Sequence, residues 1–285
     1  MPGHRISHAA IGDLLKAAEN QSFSIFLSSS LDKTLDPQLR SLASGVFAGE
    51  KEAADLNLLL SLGGDGTLLD SLLYTLRNRI PLLGINFGRL GFLPSIPDSD
   101  IVSFFQWMQQ DPIPVQERSV LELHCNGITS PFADFPYALN EVALIKKDSS
   151  SMIHIRTEVD GVFLNEYWGD GLIVSTPTGS TGYSLSCGGP ILWPDSSVMV
   201  LTPVSPHNLS MRPLVLSDGM KVKLIPGGRT AKIMLSMDSR SKSFPVNQEV
   251  NIKKSTEKAV FIRASDAGFV TTLREKLYWG KDYRN

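Results

Sequence analysis

The sequence has few of the residues that mark several common protein classes. Only two cysteines, Cys125 and Cys187, and five histidines occur in 285 residues. A disulfide framework needs more cysteines, and these two have no close Cys or His partner, so we expect both to be structural. His124 precedes Cys125 directly, but neighbouring side chains of a strand point to opposite faces, which argues against a nucleophile–base pair.

The chain also lacks an excess of charge of one sign and a long apolar run. Its 27 Lys and Arg residues oppose 29 Asp and Glu residues, which favours neither nucleic acid nor a membrane surface as a partner. No segment reaches the roughly 18 apolar residues of a membrane span. Residues 1–21 lack the apolar core of a secretion signal. We therefore expect a soluble cytoplasmic protein that binds neither nucleic acid nor membrane.

Two patterns of apolar residues divide the chain. Over residues 1–112 apolar runs alternate with segments of helical spacing, which predicts an α/β domain with a parallel sheet. Residues 113–265 contain short strand-like runs and turns such as Asp160-Gly161, which predicts an all-β domain. The pattern of residues 266–285 returns to helix, and we expect this segment to pack back onto the first domain. The last two predicted strands lie near 243–254 and 258–264.

A glycine-rich turn, "GGDGT", lies at residues 63–67 between a predicted strand and a predicted helix. Backbone N–H groups at a helix N-terminus suit a phosphate, and glycine allows a close approach. Asp65, ionised at neutral pH in water, makes sense there if it accepts a proton from a hydroxyl or holds Mg²⁺. The alternative is a plain turn that uses Gly and Asp for its geometry. Neither a Walker motif nor G-x-G-x-x-G is present.

The start of the helix after this turn is predicted from capping residues. Thr67 and Asp70 have the spacing of a capping box, which predicts a helix that starts at Leu68. The three glycines of the turn, Gly63, Gly64 and Gly66, would then precede the helix.

A second group of polar residues stands in apolar surroundings. Asn140 and Glu141 interrupt the apolar run "YALNEVALI", where burial without partners costs several kcal/mol. Asp170 leads into residues 175–191, "STPTGSTGYSLSCGGPI", which are dense in hydroxyls and glycine. Such a segment is typical of a ligand-facing loop, and the ring of Tyr183 can stack on a base. The alternative for Asn140 and Glu141 is a pair satisfied by neighbouring backbone.

These motifs together resemble the NAD kinase family. The resemblance is carried by "GGDGTLL", "GINFGRLGFL", "NEVALI", "DGLIVSTPTGSTGYSLSCGGPI" and "PHNLSMRPLVL", in the family's order, and covers most of residues 55–217. Diacylglycerol and sphingosine kinases and phosphofructokinases share the glycine turn but lack the long hydroxyl-rich block.

The resemblance implies ATP-dependent phosphorylation of the adenosine ribose 2′-hydroxyl of NAD, which gives NADP. It implies an N-terminal Rossmann-like, phosphofructokinase-like α/β domain and a C-terminal β-sandwich-like domain that binds NAD and forms the oligomer interface. It further implies a homodimer or homotetramer, ATP as phosphoryl donor, and Mg²⁺ or another divalent metal ion without an assigned direct protein ligand.

Site residues follow from the resemblance by motif position. Asp65 is the expected catalytic proton acceptor, and the ATP phosphates are expected at Gly63, Gly64, Gly66 and Thr67. NAD is expected at Asp65, Gly66, Phe92, Asn140, Glu141, Asp170, Thr181, Gly182, Tyr183, Ser184, Leu185 and Ser186. Ser151, Trp168 and Arg240 are added because they stand where the family often has ligand-binding polar residues, and Gly182 stands where alanine is common.

Two other functions stay open on the sequence. One is a related kinase that phosphorylates a lipid or sugar hydroxyl. The other is a non-catalytic module that senses a dinucleotide, which Asp65 disfavours because a pure binder gains nothing from a carboxylate beside phosphates.

Overall fold

The computed structural model describes residues 6–87, 91–109, 113–147, 152–263 and 268–278. The chain divides into two compact units. The first unit comprises Met1–Gln116 and Ala259–Asn285, and the second comprises Glu117–Lys258. Within the described residues, no helix is both long and apolar enough to cross a membrane.

Helices and strands alternate in the first part of the chain, and strands dominate the second part. The first part contains α1 His8–Asn20, β1 Phe26–Ser28, α2 Ser29–Asp32, α3 Pro37–Arg40, β2 Gly45–Phe47, α4 Glu50–Ala53, β3 Leu59–Leu62, α5 Asp65–Thr75, β4 Leu82–Asn86, β5 Ser95–Pro97 and α6 Ile101–Trp107. It is followed by β6 Val115–Asn126, β7 Tyr137–Ala138, β8 Glu141–Ile145, β9 Ile153–Val159, β10 Val162–Gly169, β11 Gly171–Ser175, α7 Tyr183–Ser186, β12 Val198–Val204, β13 Leu214–Ser217, β14 Val222–Gly228, β15 Lys232–Met237, β16 Arg240–Pro245, β17 Glu249–Ile262 and α8 Gly268–Lys276.

The first unit is built on parallel strands, as the alternating pattern predicts. Strand β4 pairs in parallel with β3 on one side and with β5 at its far end, and Phe261 near the end of β17 pairs with Leu82. All five residues of β4 are buried, which is typical of a parallel strand covered on both faces. Leu83 and Ile85 of β4 join the core formed by α1, α6 and the apolar residues around β1.

Helix α5 begins earlier than the capping-box pattern predicts. Its first residue is Asp65, and Gly64 is the N-cap residue with an extended conformation. The prediction of a helix start at Leu68 is therefore wrong. A carboxylate in the first turn interacts favourably with the positive end of the helix dipole, which supports the earlier start.

The second unit consists mainly of two antiparallel sheets. One contains strands in the order β10-β9-β14-β17, with β6 and β7 beside β17, and the other has the order β13-β12-β11-β8-β15-β16. Alternate side chains of both sheets form one shared core, for example Leu144 and Leu235 from one sheet and Ile155 and Leu224 from the other. Two sheets that bury one face each against the other form a β-sandwich.

One predicted turn is confirmed in the second unit, whereas the bounds of one predicted strand are wrong. The hairpin of β9 and β10 turns at Asp160-Gly161, both with positive φ (49° and 80°), as predicted. The strand predicted at 243–254 is instead divided between β16 and β17, and β17 runs unbroken to Ile262. Residue 240 consequently lies at the start of a strand, opposite Met237 across a tight turn.

Candidate active site

Asp65 lies at the carboxyl end of β3, where α5 begins. The N–H of Gly63 donates to the carbonyl oxygen of Ile85 at 2.9 Å, so the turn stays attached to neighbouring strand β4 as it leaves the sheet. Gly63 has φ +142°, a conformation that favours glycine, and the side chain of Thr67 lies over it. A Cβ atom at Gly63 would lie 2.7 Å from Oγ1 of Thr67. The sequence of this turn is therefore constrained by its backbone conformation.

The carboxylate of Asp65 is held by the main chain of a distant segment. The N–H of Phe92 donates to Oδ2 at 2.9 Å, and the N–H of Leu93 donates to Oδ1 at 3.4 Å. A Cβ atom at Gly91 would lie 1.7 Å from Oδ1, so only glycine fits beside the carboxylate. Each carboxylate oxygen has a second lone pair, so Asp65 is fixed in orientation yet still able to accept a proton.

The backbone next to Asp65 is open. A Cβ atom placed at Gly64 or Gly66 would meet no atom of the described residues within 4 Å. Both glycines are exposed, and Gly66 lies in the first turn of α5 rather than before the helix. The N–H groups of a first helical turn have no partner within the helix, which makes this end of α5 a suitable place for an anion.

In the second unit, Asn140 and Glu141 stand where strands β7 and β8 are separated. We call residues 139–141 the Asn140–Glu141 turn. On one side, the backbone of this turn is hydrogen-bonded to the segment of residues 175–191, which we call the hydroxyl-rich loop. The N–H of Thr176 donates to the carbonyl oxygen of Asn140 at 2.9 Å. The hydroxyl of Thr176 donates to the carbonyl oxygen of Leu139. A Cβ atom at Gly179 would lie 2.1 Å from the carbonyl oxygen of Asn140.

The side chains of this turn retain unused hydrogen-bonding atoms. Oδ1 of Asn140 and Oε2 of Glu141 are buried and have no hydrogen-bond partner among the described residues. A Cβ atom at Gly182 would lie 3.1 Å from Oε2 of Glu141, so the two residues are in close contact. Buried polar atoms without partners are uncommon in folded proteins and indicate a ligand or a water that completes them.

Burial strongly affects the ionisation of Glu141. Burial and, to a lesser extent, the nearby Asp238 carboxylate raise the pKa of Glu141 to about 8, against a smaller lowering by the N–H of Tyr183, which donates to the carboxylate. Glu141 therefore carries a proton in most of the molecules at neutral pH. A carboxyl group of this kind can donate or accept a hydrogen bond, depending on what approaches it.

Comparison with known proteins assigns both units to one family. Residues 29–109 match the ATP-NAD kinase N-terminal domain and residues 139–264 match the ATP-NAD kinase C-terminal domain. The chain is 45% identical to the NAD kinase of Flavobacterium psychrophilum over 240 residues, which are 84% of this chain and 82% of the relative. The chain belongs to the NAD kinase family. It is also 39% identical over 277 residues to the NAD kinase of Christiangramia forsetii, with 96% and 94% of the two chains covered.

Solved structures agree with this assignment. An NAD kinase from Archaeoglobus fulgidus, determined in complex with ATP, superposes with a TM-score of 0.68 at 28% identity, over 87% of this chain and 96% of that one. The yeast NADH kinase, determined with NADH, superposes with a TM-score of 0.85 over 100% of this chain and 86% of that one. At 22% identity the yeast enzyme shows the shared fold alone. The predictions of an NAD kinase and of an α/β unit followed by a β unit are confirmed.

Several residues predicted to bind NAD in this NAD kinase already have protein partners. The Asp170 carboxylate pairs with Nζ of Lys146 at 2.6 Å. The Arg240 guanidinium donates to the carbonyl oxygen of Phe135 at 2.7 Å and to that of Tyr137. Arg240 therefore contributes to the internal structure of the second unit, whatever it contacts in a ligand complex.

The hydroxyl-rich loop of the NAD kinase presents some side chains outward and others inward. The ring of Tyr183 is 39% exposed, and its pKa is raised by burial and by nearby Cys187, Asp170 and Glu141. Ser184 is buried, with its hydroxyl 2.7 Å from that of Thr202. Thr181 and Leu185 are half-buried, and Ser186 is exposed.

Trp168 lies on strand β10 in an aromatic contact with His154. The two rings stack with centroids 4.7 Å apart, and the indole N–H donates to Oε2 of Glu166 at 3.3 Å. Trp168 is 45% exposed, so one face of its ring is available to another molecule. Ser151, which is also predicted to bind NAD, lies outside the described residues.

Sequence reasoning missed residues that the structure places at these sites. Asp238 accepts three main-chain hydrogen bonds from the Asn140–Glu141 turn. Gly91 lies against the Asp65 carboxylate, and Lys146 pairs with Asp170. Only Gly91 carried a sequence signal, since it belongs to the segment "GRLGF". The other two are recognised only through contacts that are distant in sequence.

A divalent metal ion is expected from the resemblance to the family, without an assigned protein ligand. Among the residues that the structure describes, no three His, Cys, Asp or Glu side chains are grouped so that they could hold one. Mg²⁺ in phosphoryl-transfer enzymes is commonly bound through one or two carboxylates and the phosphates of the substrate. The phosphates of ATP would then supply most of the ligands of such an ion.

Proposed function

We propose that this NAD kinase transfers the γ-phosphoryl group of ATP to the 2′-hydroxyl of the adenosine ribose of NAD, with Asp65 as the proton acceptor. The observation that carries the proposal is the environment of Asp65. Two main-chain N–H groups orient its carboxylate, and an open glycine backbone and a helix N-terminus lie beside it. A fixed acceptor next to an anion site matches the needs of phosphoryl transfer to a hydroxyl.

In this mechanism the N-terminus of α5 binds the ATP phosphates through the backbone around Gly64 and Gly66. The ATP in the structure of the 28% identical Archaeoglobus fulgidus NAD kinase supports ATP as the donor. As the 2′-oxygen attacks the γ-phosphorus, its proton passes to Asp65 and ADP leaves. A divalent metal ion, which the family resemblance predicts, would be held mainly by the phosphates of the nucleotide and would supply neutralisation of their charge.

The acceptor dinucleotide is assigned to the second unit. Oδ1 of Asn140 and Oε2 of Glu141 are buried acceptors without partners, suited to the hydroxyl and amine donors of an adenosine. The exposed ring of Tyr183 supplies a surface for stacking. We further propose that Phe92, Gly66, Asp170, Trp168 and the loop residues 181–186 contribute contacts to NAD.

A coupled assay with NAD, ATP and Mg²⁺ that detects NADP tests the activity directly. Replacing Asp65 by Asn keeps the shape of the side chain and one acceptor oxygen, so it removes the base together with one of the two main-chain bonds. We expect kcat to fall by about 10²–10⁴-fold while NAD binding persists. Asp70→Asn, on the exposed side of the same helix, is the matched control and should leave kcat unchanged. Normal kcat at saturating substrate, with weakened NAD binding, would contradict the role of Asp65.

Four further experiments address the other functions and the remaining assignments. Labelled ATP offered with NAD, a sphingoid base or a sugar phosphate distinguishes an NAD kinase reaction from a lipid or sugar kinase reaction. Calorimetry that finds NAD binding without NADP formation would instead indicate a dinucleotide-sensing module. We also propose that the enzyme is a cytoplasmic homodimer or homotetramer, which sedimentation and cell fractionation test.

A further inference from the structure

Asp238 occupies the tight turn between β15 and β16, with φ of 51°. Its carboxylate accepts hydrogen bonds from three successive main-chain N–H groups. Oδ2 receives that of Leu139 at 2.8 Å, and Oδ1 receives those of Asn140 and Glu141 at 2.8 and 3.2 Å. These three residues are the whole of the Asn140–Glu141 turn, about 100 positions earlier in the chain.

The contact between this hairpin and the Asn140–Glu141 turn is reciprocal. The N–H of Asp238 donates to the carbonyl oxygen of Glu141 at 3.1 Å. Two residues later, the Arg240 guanidinium donates to the carbonyl oxygens of Phe135 and Tyr137. The hairpin therefore holds the main chain both before and after Ala138. In addition, Thr176 of the hydroxyl-rich loop is hydrogen-bonded to the carbonyl oxygens of Leu139 and Asn140 in the turn.

These contacts use the main chain of the turn and leave its side-chain ends available. Oδ1 of Asn140 and Oε2 of Glu141 are the buried atoms without partners among the described residues of this turn. The positions of both atoms follow from the main chain that Asp238 holds. A carboxylate suits this task because it offers two acceptor oxygens, whereas an amide offers only one.

We propose that Asp238 is a positioning residue for the acceptor dinucleotide, which fixes the Asn140–Glu141 turn so that Asn140 and Glu141 meet the adenosine part of NAD. The inference rests on the proposed function of those two residues. Asp238 itself is assigned no contact with the ligand, and its effect reaches NAD through the residues of the Asn140–Glu141 turn.

The charge of Asp238 adds a second effect that a purely structural role would lack. Its carboxylate lies close enough to Glu141 to raise the pKa of that residue. Removing the charge of Asp238 therefore lowers the pKa of Glu141, and any activity that depends on Glu141 shifts to lower pH. The other titratable or charged groups recorded around this pair are Tyr183 and Cys187 beside Glu141 and Arg240 beside Asp238.

Asp238→Asn is the test, and Asp160→Asn is its matched control. Asp160 also lies in a hairpin turn with positive φ, and its carboxylate accepts one main-chain bond, from Lys221 at 2.9 Å. For Asp238→Asn we expect the KM for NAD to rise roughly tenfold, with kcat changed less than about threefold, because one charge-assisted bond and the turn geometry are lost. Asp160→Asn should leave both constants unchanged.

Two further measurements separate positioning from loss of folding. Hydrogen exchange should accelerate at the amides of residues 139–141 in Asp238→Asn, and the pH profile of kcat/KM should move to lower pH. If Asp238→Asn does not fold, Asp238→Glu replaces it. That variant keeps the charge but displaces the carboxylate, so it should raise the KM for NAD without moving the pH profile.

The outcomes distinguish the inference from the function on which it rests. An unchanged KM and an unmoved pH profile in a folded Asp238 variant, while Glu141→Gln or Asn140→Ala does raise the KM for NAD, would overturn only the positioning role. A KM for NAD that is unaffected by Glu141→Gln and by Asn140→Ala would overturn the assigned NAD site and the positioning role together.

Discussion

The ionisation of Glu141 leads to a quantitative prediction about stability. Burial and the neighbouring Asp238 raise its pKa from 4.5 to about 8 in the folded protein. Between these two values the folded state keeps a proton that the unfolded state has lost. The free energy of unfolding therefore falls as pH rises through this window, because stability decreases wherever the folded state binds more protons.

The size of the effect follows from the width of the window. The two pKa values lie about 3.5 pH units apart, and one unit corresponds to about 1.4 kcal/mol, which gives a ceiling of about 5 kcal/mol. Partial solvent access and relaxation of the folded state reduce this ceiling, and we expect about 2 kcal/mol over the whole window, roughly half of it above pH 6. Asp238 acts in the same direction at lower pH, since burial raises its pKa from 3.8 to about 6.

The assay compares the wild-type protein with Glu141→Gln, which keeps the shape but cannot ionise. Urea unfolding is measured at intervals from about pH 6, above the range in which Asp238 contributes most, to about pH 9. We expect the wild type to lose stability relative to Glu141→Gln as pH rises, with a plateau above about pH 8. A difference between the two proteins that stays constant, or a wild type that gains relative stability with pH, would refute the reasoning.

Three further predictions concern close contacts in each unit. In Gly91→Ala the new Cβ atom would lie 1.7 Å from Oδ1 of Asp65. Because the carboxylate would have to move, kcat should fall at least about tenfold in a folded protein. An unaltered kcat would argue against the need for a fixed carboxylate. In Gly182→Ala the Cβ atom would lie 3.1 Å from Oε2 of Glu141, so the KM for NAD should rise by roughly threefold, and an unchanged KM would show that Glu141 moves aside freely. Arg240→Ala removes two hydrogen bonds to main-chain carbonyl oxygens. Thermal unfolding should show that the free energy of unfolding falls by about 2–4 kcal/mol. An unchanged melting temperature would mean that water replaces the guanidinium.

Some parts of the site could be found from the sequence because they break a local rule. A polar pair inside an apolar run is costly unless it has partners, and a carboxylate among three glycines is unexpected in a plain turn; on these grounds the sequence predicts Asp65 and Glu141 as site residues. Their partners could not be found by the same reasoning. Phe92 is 27 positions from Asp65, and no local pattern in either segment predicts the hydrogen bond from its N–H to the Asp65 carboxylate.

The start of α5 shows how a tertiary contact overrides a local preference. Threonine at a helix start with an acidic residue three positions later is a good capping pattern, and the sequence alone favours it. The helix nevertheless begins at Asp65, whose carboxylate accepts N–H groups from residues 92 and 93. These bonds come from outside the helix, so helical propensity could not predict them.

The sequence by itself determined the family and the order of an α/β unit and a β unit. It also singled out, as predicted ligand contacts, the polar residues that stand in apolar surroundings. These properties depend on local composition and on the spacing of apolar residues, both of which are visible along the chain. Only the tertiary structure showed that Asp238 holds the Asn140–Glu141 turn and that Gly91 leaves room for Asp65. Such contacts join segments that are far apart in sequence, and the packing of the folded chain decides which of them form.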